Sequence, residues 1–319
     1  MSIAAYIKEI GRGKDGARAL TSAQAHDLMS QVLDGTVTDL ETGAFCLAMR
    51  IKGETVPELD GFVQATLARC QPVEAAAAQA RTSGLSGLVV LPSYNGARRL
   101  PNLTPLLAAL LAREGLGVLV HGPLRDPTRV TTAEVFEAAG WAMAQNAADV
   151  AQAWAQGRPA FWSIESLCPG LAKLLSVRWT IGLRNPGHTV AKLLDPFSAT
   201  PVAPPSVRVV NHTHPEYADS LSAYLAHAQA RALLMRGTEG EPVADPRRQP
   251  RFSAYAGGAL QSDLSLASTD GVLSALPVLP ESMAAGPTAE WIEQALRGQV
   301  PVPEPILTQV RCLKTLLAH

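Results

Sequence analysis

Apolar positions over residues 1–70 recur at helical spacing. Leu28, Val32 and Leu33 share one face behind Thr21, which pairs with Gln24 three residues on as a capping box. Thr38 and Glu41 repeat the box before Phe45, Leu47, Ala48 and Ile51. From Val56 to Cys70, Leu59, Phe62, Val63 and Leu67 fall on one face. The spacing predicts four short helices without a strand, and so a small helical domain over residues 1–72. The alanine-rich stretch Ala75–Ala80 reads as a connector.

Near residue 87 the pattern changes. Short apolar runs at Leu88–Leu91, Val118–Val120, Pro159–Trp162, Val207–Val210 and Ala232–Met235 read as buried strands. Helical stretches at about Thr104–Arg113, Thr132–Ala139 and Tyr217–Gln229 separate them. Such alternation predicts an α/β fold over residues 73–319, with a mostly parallel central sheet flanked by helices. Residues 167–195 instead look helical and are expected to complete the N-terminal domain. Pro242–Gly258, rich in Pro, Arg and Gly, reads as a surface loop. Ligands of a parallel sheet sit beyond its strands' carboxyl ends. The candidate site segments are therefore Pro92–Thr104, His121–Thr132, Asn211–Glu216 and Gly237–Arg251.

Composition narrows the class. The chain has 319 residues, 47% hydrophobic and 17% charged, with 27 basic and 28 acidic side chains and a net charge of -1. That length buries a core without staples, and the composition excludes a disordered chain or a polycation. Cys46, Cys70, Cys168 and Cys312 show no CxxC spacing, the pattern of reduced thiols in a cytoplasmic protein. Met1–Ile10 contains Lys8 and Glu9 and does not read as a signal peptide. No apolar run is long enough to predict a membrane span. His212 and His214 alternate, but no partnered carboxylate or cysteine at a diagnostic spacing accompanies them, so no metal site is expected there.

Two segments carry candidate chemistry. Pro92–Thr104 links a strand to a helix, with a turn at Asn95-Gly96 and charge from Arg98 and Arg99. Its readings are an ordinary strand–helix turn or a phosphate-binding loop, with a helix N-terminus that favours an anion. Asn102 or Thr104 would cap that helix. In the second segment His121-Gly122 follows a strand, Arg125 and Arg129 add charge, and Thr131 or Thr132 starts a helix. The phosphate-binding candidates are Ser93, Asn95, Gly96, Asn102, Thr104, His121, Gly122 and Thr132.

This order of N-terminal helices, parallel sheet and two loops resembles the anthranilate phosphoribosyltransferase superfamily. Pro92-Ser-Tyr-Asn-Gly96 stands where those enzymes carry a GTGGD loop, and Asn102-Leu-Thr104 matches the N-x-S/T stretch after it. Val120-His-Gly-Pro-Leu124 meets the family's KHGNR element at His121 and Gly122 only. Arg129 and Thr132-Ala-Glu-Val-Phe-Glu-Ala-Ala-Gly140 resemble the arginine and SADVLEALG helix that follow. The family's late Asp-Glu pair, which holds magnesium on phosphoribosyl diphosphate, is replaced by Arg236-Gly-Thr-Glu-Gly-Glu-Pro242. The glycines that let a diphosphate approach the backbone are gone as well. The altered motifs resemble the YbiB-type, non-tryptophan branch of TrpD-like proteins. That resemblance implies a homodimer formed through the N-terminal helices and nonspecific binding of DNA or RNA. It implies no catalytic residues and no cofactor, with magnesium only if transferase chemistry persists.

Charge distribution bears on this expectation. Residues 98–129 carry +3 and residues 158–251 carry +4, against -8 elsewhere. The candidate phosphate-backbone contacts are Arg98, Arg99, Arg125, Arg129, Lys173, Arg178, Arg184, Lys192, Arg247, Arg248 and Arg251. Tyr94, Trp162 and Trp179 are either core residues or stacking platforms for bases. No base-reading motif is visible, which points to the backbone as the feature read.

Overall fold

The computed structural model describes residues 2–201 and 203–319. In chain order the helical start comprises α1 (Ala4–Ile10), α2 (Gly13–Gly16), α3 (Ser22–Leu33), α4 (Asp39–Lys52) and α5 (Val56–Leu67). Then follow α6 (Glu74–Thr82), β1 (Leu88–Pro92), α7 (Thr104–Arg113), β2 (Gly117–Gly122), α8 (Thr132–Ala138), β3 (Met143–Ala144), α9 (Ala147–Ala155) and β4 (Ala160–Ser163). Next come α10 (Ile164–Leu167), α11 (Pro169–Ile181), α12 (Pro186–Leu193), β5 (Ser206–His212), α13 (Tyr217–His227) and β6 (Ala232–Arg236). The chain ends with β7 (Phe252–Ala256), β8 (Ala259–Leu266), α14 (Ala285–Leu296) and α15 (Glu304–Ala318).

The chain divides into two compact units. One comprises residues 1–71 and 164–194; the other comprises 72–163 and 195–319. In the helical unit the Thr21–Gln24 and Thr38–Glu41 capping boxes both form. A third box, Thr55 with Glu58, starts α5. Glu58 is fully buried and also pairs with Lys52 at 2.6 Å and accepts the Leu20 N–H at 2.9 Å. A buried carboxylate persists only with such partners.

The second unit is built on an eight-stranded sheet, ordered β3-β4-β2-β1-β5-β6-β7-β8 among the described residues. Every pairing from β3 to β6 is parallel; β6–β7 and β7–β8 are antiparallel. β1 and β2 are buried along their whole length, as a sheet covered on both faces requires. The chain moves outward from β1 on one side through β2 and on the other through β5. The carboxyl ends of β1 and β5 thus form a topological switch point, where open α/β sheets place their ligands.

Two expectations need correction. Ala75–Ala80 is not a connector but the body of α6, with Ala76, Ala77 and Ala80 buried. Alanine is the strongest helix former, and its small side chain packs closely. Pro242–Gly258 is not simply a surface loop. Val243 and Ala244 are buried, β7 runs through it, and Gly257-Gly258 turns the chain into β8. All four cysteines are free thiols; Cys46, Cys168 and Cys312 are buried and Cys70 half-buried. No helix among the described residues is long and apolar enough to cross a membrane.

Candidate functional site: a donor nest at the end of β1

The site lies in the second unit, where the chain leaves β1. Between Asn95 and Leu100 it turns so that the backbone N–H groups of Asn95, Gly96, Arg98, Arg99 and Leu100 face one side, while that of Ala97 points to Val130, an arrangement that favours anions. Gly96 adopts φ +71, and a Cβ there would lie 2.9 Å from the Arg129 Cβ and 3.0 Å from the Val130 carbonyl. Antiparallel bonds between Ala97 and Val130, at 2.8 and 2.9 Å, join this loop to the one after β2. Gly122 lets the two loops meet: a Cβ would stand 1.9 Å from the Ser93 carbonyl oxygen.

The donors already have an anion, and it comes from the chain itself. The Glu241 carboxylate accepts the N–H of Asn95 at 2.7 Å and of Gly96 at 2.6 Å. It also accepts the Ser93 hydroxyl and, at 3.4 Å each, the hydroxyls of Thr104 and Thr132. Asn102 supports the set by donating to the Thr132 hydroxyl at 2.9 Å and accepting the Thr104 N–H at the start of α7. Glu239 takes the next stretch of the nest. Its carboxylate accepts the N–H groups of Arg98 at 2.7 Å, Arg99 at 2.9 Å and Leu100 at 3.3 Å. Partial burial alone would raise the Glu239 carboxyl; those three N–H donors and the nearby Arg129 guanidinium outweigh it and hold the group below the usual carboxylate range.

The turn that delivers both carboxylates follows β6. Glu239 has φ +53, a left-handed backbone that side chains other than glycine seldom adopt, and Gly240 has φ +89. A Cβ on Gly240 would fall 1.8 Å from Asn95 Nδ2, which donates to the Glu239 carbonyl at 2.7 Å. Thr238 closes the turn from within, its N–H and hydroxyl reaching the Val243 carbonyl at 2.9 and 3.0 Å.

The phosphate candidates Ser93, Asn95, Gly96, Asn102, Thr104 and Thr132 therefore converge, but on Glu241. His121 and Gly122 do not join them. His121 is buried with Nδ1 2.7 Å from the Tyr94 hydroxyl, the rings meeting edge-to-face, and Gly122 provides clearance. The late acidic residues were visible in the sequence as Glu239 and Glu241; their use as anions for the nest was not. The GTEGE glycine spacing, which permits the tight turn, was its only local signal. A magnesium ion requires several oxygen ligands. Here both carboxylates are surrounded by N–H and O–H donors, so the residues present do not fit that metal. Among the described residues no cluster of metal-ligating side chains occurs, His212 and His214 included.

The arginine and lysine candidates differ in their partners. Arg98, Arg99 and Arg251 are exposed and enter no ion pair among the described residues. Arg125 is bound to Glu137 at 2.6 Å, while Arg247 and Arg248 share Asp245 at 3.0 and 3.2 Å. Arg129 reaches the Gly96 carbonyl at 3.3 Å, and both it and Arg247 act electrostatically on Glu239. Lys173, Arg178, Arg184 and Lys192 belong to the helical unit. There Arg184, Arg178 and Lys192 surround His188, and Arg178 lies 4.1 Å over the Trp179 ring. Trp179 is 49% exposed, whereas Tyr94 and Trp162 are core residues at 5% and 0%.

Comparison with known proteins places this geometry. A glycosyl transferase family, helical bundle domain model matches residues 4–70. The chain is 38% identical over 310 residues to the uncharacterized protein YbiB of Escherichia coli (strain K12), covering 96% of this chain and 91% of that protein. The crystal structure of anthranilate phosphoribosyltransferase (TrpD) from Thermus thermophilus superposes with a TM-score of 0.67 at 20% identity, covering 98% of this chain and 95% of that one. The Saccharomyces cerevisiae enzyme in complex with PRPP and Mg gives 0.63 at 14%, covering 99% and 94%. These two similarities are of fold.

Proposed function

The chain belongs to the TrpD-like family, with YbiB among its relatives, and on that premise we propose that it is a homodimeric, sequence-nonspecific nucleic-acid-binding protein of the cytoplasm. The observation that carries this reading is that Arg98 and Arg99 stand exposed and outside any ion pair among the described residues, on the same loop whose backbone N–H groups are already filled by the chain's own carboxylates. Arg98 and Arg99 follow the carboxyl end of β1, while the groups that would grip a single diphosphate are engaged by Glu239 and Glu241. A surface of this kind attracts a phosphate backbone by neutralisation and counterion release, without reading bases. In the helical unit Lys173, Arg178, Arg184 and Lys192 supply further cations, and Trp179 offers a face on which a base can stack.

Dimerisation is supported by α4, which exposes Leu40, Leu47 and Ile51 at 84%, 48% and 58%. These positions recur at helical spacing and form an apolar stripe of the kind that a second copy covers. A dimer would present two basic faces to one strand and raise avidity.

The alternative is an active pentosyltransferase, either a nucleoside phosphorylase or an enzyme acting on phosphoribosyl diphosphate in the manner of anthranilate phosphoribosyltransferase. The latter would need the nest free and oxygen ligands for magnesium, and Glu239 and Glu241 oppose both conditions. Titration of a fluorescent random-sequence single-stranded oligonucleotide tests the first reading. Affinity should fall linearly on a log–log plot against salt; absence of binding at low salt, or indifference to salt, overturns it. Magnesium-dependent consumption of phosphoribosyl diphosphate with anthranilate would establish the alternative.

A further inference from the structure

Two of the four thiols meet inside the helical unit. Cys70 follows α5, near the end of the first chain passage through that unit, and Cys168 is the N-cap of α11, near the start of the return. Their sulfurs face one acceptor: Cys70 Sγ lies 3.4 Å and Cys168 Sγ 4.0 Å from the Thr66 carbonyl oxygen. The two side chains also hydrogen-bond to each other. The backbone beside them is tied as well, since the Gln71 N–H donates to the Leu167 carbonyl at 2.7 Å. The residue after one cysteine is thus bonded to the residue before the other.

This pair differs chemically from the remaining thiols. Burial pushes Cys46 up to about 12 and Cys312 up to about 11, which keeps both protonated. At Cys168 the Cys70 thiol, the Leu171 N–H and the Arg69 guanidinium favour the thiolate, outweigh burial and hold the group below the ordinary thiol range. The same hydrogen bond, with burial, raises Cys70. Cys70 is only half-buried, so the pair keeps contact with solvent. A thiolate beside a protonated thiol is the arrangement that an attacking and a resolving cysteine require.

We propose that Cys70 and Cys168 form a redox-sensitive dithiol, which a hydroperoxide converts to an intramolecular disulfide that clasps the two chain passages of the helical unit. The Cys168 thiolate attacks the hydroxyl oxygen of the peroxide. The S–O bond forms, the O–O bond breaks, and the leaving oxyanion takes a proton from solvent. The Cys70 sulfur then attacks the Cys168 sulfenic acid. The S–S bond forms, the S–O bond breaks, and hydroxide leaves with the Cys70 proton as water. The sulfurs lose two electrons and the peroxide gains them. A dithiol reductant reverses the step by exchange, and in a reducing compartment the link is transient, as sensing requires. Nucleic-acid binding by the surface arginines has no part in this inference.

The test exposes the full chain to hydrogen peroxide, alkylates the remaining thiols before unfolding, and maps the peptides by mass spectrometry. A Cys70–Cys168 linked peptide should be the dominant oxidised product, with Cys46 and Cys312 alkylated, and dithiothreitol should restore all four thiols. Oxidised wild type should melt higher than the reduced protein by about 5 °C or more, because a link that closes a long loop constrains the unfolded chain. In Cys70→Ser, dimedone should trap Cys168 as the sulfenic acid, and peroxide should not raise the melting temperature. Should that variant fail to fold, the wild-type peptide map and melting shift decide. Links through Cys46 or Cys312, a link between two chains seen as a doubled mass without reductant, a folded Cys70→Ser with no label on Cys168, or a linked product that melts no higher than the reduced chain overturns the proposal.

Discussion

Glu241 accepts the Gly96 N–H at 2.6 Å from a position 145 residues away in sequence. This hydrogen bond joins the end of β6 to the loop after β1 and turns a potential ligand site into part of the fold.

Gly240 is expected to be intolerant of a side chain. Gly240→Ala would set a Cβ 1.8 Å from Asn95 Nδ2 in a left-handed backbone, costing roughly 3 kcal/mol or more. Gly84 also has a positive φ, of 65°, but open space around it; Gly84→Ala should cost only about 1 kcal/mol. Urea unfolding of the two variants measures the difference, and equal losses would refute the close-packed turn.

Arginines differ in availability. Replacing Arg98, Arg99 or Arg251 by Ala should each flatten the salt dependence of single-strand binding, by roughly 0.7 in log–log slope for each phosphate that is no longer neutralised. Arg125→Ala should change it less, because Glu137 already engages that guanidinium. Anisotropy titrations at several salt concentrations compare them.

His188 predicts a loss of stability in mild acid. Burial, then the charges of Arg184 and Arg178, push its imidazole down to about 3 from an ordinary 6.5. In that interval the unfolded chain binds the proton and the folded chain does not. The stabilisation is complete above pH 6.5 and declines as pH falls toward 3, by about 1.4 kcal/mol per unit at most. Melting temperature measured from about pH 7 to about pH 5 should fall more for wild type than for His188→Asn.

The α4 stripe gives a prediction on assembly. Leu47→Glu with Ile51→Glu places two charges on the exposed apolar face and should convert a dimer to a monomer. Light scattering on the eluting protein reports the mass, and helical content should be unchanged. A wild-type monomer would refute the dimer.

Much of the scaffold was legible because its signals are local. The Thr21–Gln24 and Thr38–Glu41 boxes mark α3 and α4, and α7 spans Thr104–Arg113 as its apolar run predicts. Helix α6 was not legible as such, since an alanine run carries little amphipathic contrast. Strand β8 is largely exposed and lacks the apolar signal of a buried strand. Helix α15 was not anticipated, although Ile306, Val310, Leu313 and Leu317 repeat at helical spacing. Ser93, Asn95, Gly96, Thr104 and Thr132 stood among the phosphate candidates, whereas the backbone donors Arg98, Arg99 and Leu100 did not. The occupant of the nest was not legible, because the pairing of Glu241 with Ser93, Asn95 and Gly96 is set by sheet topology rather than by neighbouring sequence.

The tethering of Glu241 has a consequence for competition. A free anion must meet the nest from solution, whereas a carboxylate on the same chain competes at an effective concentration, of millimolar order for a short flexible link. The seated, internally bonded turn after β6 is less free than such a link and should exceed it. A small phosphate from solution is then at a disadvantage against the chain's own carboxylate for the same N–H groups. Only a change in the turn, by substitution or by a partner that grips residues 237–241, would shift the balance.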